Sequence, residues 1–268
     1  MGIMFFRKNK IDLSQSNVSI TVTDSVATNT GQSFTDLLRN RSNNNGWSTT
    51  GSTDAASTTL VVDMTDSLPI DNILLVSHNL KAYTIKYWNG SAWTNFSTTI
   101  AETTNSATTT RHTFTSVSTS QIQIIITGTM VANADKRLAQ LILTETLGTF
   151  TVEPVVSRPR VSRNRKVSTS LSGRKKVFKS VDAFSCNLKH DTVKLDADCD
   201  IIELLFNLYN PFLIWLCGGT ITQFNYERQG YRLQDIFYVD IINDYEPEWI
   251  NGNYNAKIKL DMDLAEAL

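Results

Sequence analysis

Cysteine, histidine and proline are scarce in this chain, with three, three and five copies among 268 residues. Each scarcity removes a class of function. Cys186, Cys199 and Cys217 are odd in number and form no CxxC pair, so neither a zinc site nor a disulfide framework is indicated. His78, His112 and His190 stand far apart, with no HExxH or His-x-His spacing for a metal. No Walker A, GxGxxG or GxSxG motif is present. Long apolar runs are missing too: "IQIIIT" and "PFLIWLC" are far short of a membrane span, and no membrane insertion is expected. The opening "MGIMFFRKNK" places apolar residues before the charges, the reverse of a secretory signal. Phe6 stands where a myristoylation site needs a hydroxyl residue. Asp196, Asp198 and Asp200 alternate like cation ligands. They precede a helix without the glycine and terminal Glu of a calcium loop, and so read as helix-capping acids. The expectation is a protein made in the cytoplasm, with reduced cysteines, no cofactor and no enzymatic activity.

What is present is strongly partitioned. The chain carries 25 basic and 26 acidic residues. Residues 1–150 are balanced at ten of each, residues 151–179 hold nine basic against one acidic, and residues 180–268 hold six against fifteen. Ser and Thr make up 45 of the first 150 positions, favouring strands where β-branched and turns where short. Within that half, "NVSITVTD", "TTLVVDM", "NILLVS", "YTIKYW", "QIQIIITG" and "LAQLILTE" alternate or run apolar. They are separated by turn signals such as "NNNG", "SLPID" and "NGSAW". "QSFTDLLRN" is the lone helical pattern. Residues 1–150 are therefore predicted as an antiparallel β-sandwich.

From Thr151 the pattern changes. "TVEPVVSRPRVSR" holds two prolines, which suit only an edge strand. "RKVSTSL" and "RKKVFKSVDAFSCNL" read as a hairpin about Ser172-Gly173. "DADCDIIELLFNLYN" is the best helix, with Ile201, Leu204, Leu205 and Leu208 as its apolar stripe. "FLIWLCGG", "YRLQDIFYVDIIND" and "YNAKIKLDMDL" follow as strands. Residues 151–268 are thus predicted as an α+β domain with one helix and a protruding basic β-hairpin, in a mainly β chain.

Trp47, Val62-Asp63, Leu74-Leu75, His78-Asn79 and Tyr87-Trp88, the last leading into "NGSAW", stand in an order that resembles the galactose-binding-like (discoidin, F5/8 type C) jelly roll over about residues 15–147. The paired terminal cysteines of secreted members are missing. The resemblance implies a jelly-roll sandwich that binds glycans or other surfaces through loops at one end. Trp47, Trp88 and Trp93 are then candidates to stack on a sugar, and His78, Asn79 and Asn89 to hydrogen-bond it. The alternative for each is packing or turn formation, and His78-Asn79 reads best as a hydrogen-bonding corner.

The layout of the second half, together with "LLVSHNL" in the first, resembles tail-tube and distal-tail modules of tailed bacteriophages. That resemblance implies a virion structural protein of the tail tip or baseplate, assembled in the host cytoplasm. It would form a homo-oligomeric ring, hexameric or another multiple of three, with other tail proteins and host-surface glycans as partners. The basic residues Arg158, Arg160, Arg163, Arg165, Lys166, Arg174, Lys175 and Lys176 are candidates for the subunit interface, facing the acidic stretch of a neighbouring copy. Contact with DNA in the tail channel and plain solvent exposure remain open for the same stretch. The rival function is a soluble carbohydrate-binding lectin or accessory module.

Overall fold

The computed structural model describes residues 3–24, 38–39, 46–50, 54–150, 154–162, 165–169, 175–179, 183–194, 197–208, 210–215, 236–243, 248–250 and 257–266. It divides into two units, one of Arg7–Thr146 and the other of Met1–Phe6 with Leu147–Leu268. The opening strand β1 (Met4–Phe6), placed with the first domain by the sequence reading, pairs with Phe212–Trp215 and so belongs to the second unit. Its three side chains are all buried, as "MFF" requires when neither face meets water.

The Arg7–Thr146 unit is an antiparallel β-sandwich of β2 (Ser19–Asp24), β3 (Trp47–Ser48), β4 (Thr58–His78), β5 (Leu80–Trp88), β6 (Trp93–Thr94), β7 (Ile100–Glu102), β8 (Thr110–Thr129) and β9 (Arg137–Thr144). Two very long strands make it. The first part of β4 lies between β2 and the second part of β8, and its last part lies between β9 and the start of β8. Between them the register slips at Asp63/Leu68, where Thr65 takes a positive φ of 63°. Such an irregularity bends a strand and lets one ladder serve two layers. "TTLVVDM" and "NILLVS", expected as separate strands around the turn "SLPID", are therefore one strand with a corner. Alternation sets the layers: Ile122, Ile124 and Ile126 are fully buried, while Gln121, Gln123 and Ile125 face the other way. Leu60, Val62, Ile73, Leu75, Tyr83, Ile85 and Leu141 close the same core.

The second unit is an eight-stranded sheet. Its order is β10 (Thr146–Thr149), β1, β15 (Phe212–Trp215), β16 (Ile236–Ile241), β18 (Lys257–Glu266), β14 (Ala183–Lys194) and β11 (Val155–Ser162), with β17 (Glu248–Ile250) also on β18. β11 lies at the sheet edge with a bulge between Ser157 and Arg160, around Pro159, which has no N–H to donate to a ladder. β12 (Arg165–Thr169) and β13 (Lys175–Lys179) pair only with each other among the described residues, in a ladder centred on position 172. The turn Ser172-Gly173 lies outside the described residues, as does nearly all of "QSFTDLLRN".

The helix α1 (Ala197–Asn207) carries Asp198 and Asp200 in its first turn, where acids suit the helix dipole. Of the expected stripe, Leu205 is buried, Ile201 and Leu208 are partly buried against the same core and Leu204 is exposed, while Cys199 and Ile202, outside that stripe, are buried as well. In "DIIELLF" either of two neighbouring stripes is apolar. Phe5, Phe212, Leu188 and Met262 select the one that meets the core.

Candidate carbohydrate-binding surface

The turn that joins β5 to β6 is built by one side chain. Asn89 Oδ1 accepts from the backbone N–H of Ser91 at 3.0 Å and of Ala92 at 2.9 Å, and from the Ser91 hydroxyl at 3.0 Å. Gly90 follows with φ 97°, a conformation closed to side chains with a Cβ except under strain. Asn89 therefore spends its carbonyl oxygen on the turn, and its amide group is left as the part that could meet a ligand. The turn sets Trp88 directly opposite Trp93. Their rings meet edge to face, 5.4 Å between centroids, and both are half-buried. Beneath them Tyr87, Phe96 and Phe114 stack toward the core, with centroids 5.0 and 3.9 Å apart. Such a base restrains the hairpin, so the indole pair is presented in one arrangement.

The remaining sequence candidates are occupied elsewhere. Trp47 is 1% exposed and packs in the sandwich core, its Nε1 buried without a hydrogen-bond partner, so it is no stacking platform. Gly46 beside it is needed for close approach, since a Cβ there would lie 2.4 Å from the Ala139 Cα. Asn79 donates from Nδ2 to the Asp135 carbonyl at 2.7 Å and accepts the Arg137 N–H on Oδ1 at 2.8 Å. It is a corner brace, with its amide consumed. His78 is 3% exposed. Its Nδ1 accepts the Leu80 N–H at 3.1 Å, which leaves Nε2–H to donate to Thr110 Oγ1, also at 3.1 Å.

The histidines are not all isolated. The Tyr83 hydroxyl lies 3.1 Å from Thr110 Oγ1 and 3.0 Å from His112 Nε2, so His78, Thr110, Tyr83 and His112 form one hydrogen-bonded chain. Both imidazoles stand edge-on to the Tyr83 ring. Burial, with a smaller contribution from the nearby His112, brings the His78 pKa down to about 4. Burial does the same for His112 and pushes the Tyr83 phenol up to about 12. The chain is thus neutral and poorly reached by solvent. Sequence spacing could not reveal it, because the strand pairing of β4, β5 and β8 brings the four residues together.

Two buried cations were also missed. Lys136 is fully buried, its ammonium donating to the Ala56 carbonyl at 2.6 Å and Thr58 Oγ1 at 2.8 Å. The Arg39 guanidinium donates to the carbonyls of Ile11 at 2.7 Å, Asp12 at 3.1 Å, Val18 at 3.4 Å and also Gln15, fastening residues 11–18. Among the described residues no group of three or more His, Cys, Asp or Glu side chains could hold a metal ion.

In the second unit, Arg158 and Arg160 fall on β11, Arg165 and Lys166 on β12, and Lys175 and Lys176 on β13. Arg163 and Arg174 lie outside the described residues. Cys186 and Cys199 are buried, and burial raises the Cys186 thiol to about 12, so it stays protonated. Cys217 lies outside the described residues.

No protein-family model matches the chain, and no curated protein sequence matches it. Several solved structures are similar to about half of it. A chitosan-binding module from a chitosanase/glucanase of Paenibacillus sp. IK-5 shares 17% identity, with 52% of this chain and 98% of that one covered at a TM-score of 0.41. CpGH89CBM32-5 of Clostridium perfringens, solved with GalNAc-β-1,3-galactose, shares 13%, covering 49% and 97% at 0.39. A fucosidase of Ruminococcus gnavus, solved with fucose, shares 14%, and the chain spans only 27% of it at 0.42. Values this low leave the reading of the surface to its own geometry.

Proposed function

We propose that this chain is a non-catalytic recognition protein whose Arg7–Thr146 sandwich binds carbohydrate. The observation that carries the reading is the Trp88–Trp93 pair, half-exposed and locked across a tight turn. Aromatic faces held rigidly beside amide and hydroxyl groups suit the alternating C–H and O–H faces of a sugar ring. The polar chain through His78 and Tyr83 offers no competing chemistry, since its groups are buried or half-buried, neutral and bonded to one another.

A second reading concerns what the sandwich is attached to. The chain would be a structural component of a phage tail tip or baseplate, forming a ring, with glycan recognition as one of its tasks. Two features support it. Among the described residues the sheet of the second unit ends at β10 and β11, and edges of this kind accept strands from other chains. The strands β12 and β13 carry Arg165, Lys166, Lys175, Lys176 and Lys179 and no acid, a charge that an acidic neighbour would complement.

One preparation of the pure chain tests both. On a glycan array the wild type is expected to bind a defined set of glycans and Trp93→Ala to lose them. Mass photometry of the same sample reports the assembly. A ring, or a monomer that grows only with tail partners, supports the second reading. A stable monomer that binds glycans leaves the first alone standing, and an array without a single bound glycan removes the first.

A further inference from the structure

The Trp pair does not stand alone on its side of the sandwich. Tyr83, Ile85 and Tyr87 point to the core from β5, so Lys86 and Trp88 point outward, as does Trp93 across the turn. On β8, buried Ile122 sends Gln121 to that same outer face. Register then aligns them: Ser19 pairs with Asp63, Asp63 with Gln121, and Trp88, next after the Tyr87–Ile122 pair, comes beside Gln121 and opposite Trp93. The row crosses β2, β4, β8, β5 and β6, four spacings of a β-ladder, and so extends about 19 Å. All five residues are half-buried or exposed. Gln121 Nε2 donates to Asp63 Oδ2 at 3.0 Å, which fixes both side chains in the middle of the row.

Resting on the carbohydrate reading above, we infer that this row is the binding site, and that its ligand is an extended neutral polysaccharide lying across the strands. Length selects a chain over a single sugar, because one ring would cover only the Trp pair. Charge selects a neutral polymer: Asp63 in the row and Lys86 in the next cancel, and the described residues of the row form no basic cluster to hold phosphate or uronate. Among the described residues of this unit the exposed large apolar side chains are Leu13 and Val131, neither of them in the row, so the row lacks the apolar patch of a protein-docking face. The loop end that the sequence reading pointed to is already spent, with Trp47 and His78 buried and Asn79 bonded on both amide atoms.

Affinity electrophoresis of the full chain tests this, using gels that contain galactomannan, mixed-linkage β-glucan or anionic alginate. Retardation by a neutral polymer is expected, with none by alginate. A hexasaccharide of the retarding polymer should compete at far lower concentration than its monosaccharide. Trp88→Ala and Gln121→Ala should each weaken retardation about tenfold, with thermal midpoints close to wild type. Arg137→Ala and Val131→Ser, exposed at the loop end, should change nothing. Retardation that survives Trp88→Ala and Gln121→Ala, or that vanishes with the loop-end variants, overturns the site while carbohydrate binding stands. Equal competition by monosaccharide and hexasaccharide overturns the extended ligand, and retardation by alginate alone overturns its neutrality. If no polymer and no sugar binds, the carbohydrate reading fails together with this one.

Discussion

His78 and His112 carry the sharpest residue-level consequence. Their folded pKa values near 4 lie below the ordinary imidazole value of 6.5. The folded state therefore resists the proton that the unfolded chain accepts, and stability falls as pH drops. The loss begins near pH 6.5, grows toward pH 4, and amounts to about 3 kcal/mol per imidazole when fully expressed. Thermal midpoints of the wild type should fall steeply between pH 6.5 and 4.5. In a His78→Gln/His112→Gln variant that fall should be much shallower, the remaining slope belonging to carboxylates. Parallel curves for the two proteins would rule out the buried neutral chain. Sequence inspection found these residues but not their bonds, because positions 78, 83, 110 and 112 meet only through strand pairing.

At the level of elements, periodicity located most strands and the helix, and left their edges and faces to packing. The alternation in "QIQIIITG" names the buried side chains correctly, and Met262 and Leu264 are buried at the end of "KIKLDMDL", since a strand has only two faces to choose between. A helix has more, and "CDIIELLFNL" offers two adjacent apolar stripes. The core chose Cys199, Ile202 and Leu205. Ile202→Ala should then cost about 3 kcal/mol, and Leu204→Ala less than about 0.5 kcal/mol. Calorimetry of the two variants decides, and a larger loss at Leu204 would restore the stripe read from sequence. The corner in β4 was illegible for another reason. "SLPID" has turn composition, yet its ends are held by β8 and β9, so the chain bends without leaving the ladder.

At the scale of the whole molecule, charge is the property that sequence states and assembly would use. The basic stretch runs along β11, β12 and β13, while acids dominate residues 180–268. If neighbouring copies join through these opposite signs, an Arg165→Glu/Lys166→Glu/Lys175→Glu/Lys176→Glu variant should remain folded and lose higher-order species in mass photometry. The wild-type assembly should weaken with added salt, as screened charges do. A variant that assembles as well as wild type would reduce the stretch to solvated surface.

The sequence by itself determined the class of this protein: alternating strands, one strong helix, a charge partition and no catalytic or metal-binding motif. These are local properties, written in neighbouring residues and in composition. Tertiary structure alone decided which aromatics are presented and which are consumed. Trp47 and Trp88 have the same side chain, and each is followed by a polar residue, Ser48 or Asn89. On β3, at the end of the sheet order, the Trp47 side chain turns into the core, whereas on β5, between β8 and β6, the Trp88 side chain turns to the outer face, because strand pairing decides which side of a strand is covered. The same pairing assembled the row from Ser19 to Trp93, five residues from five strands, which no reading along the chain could bring together.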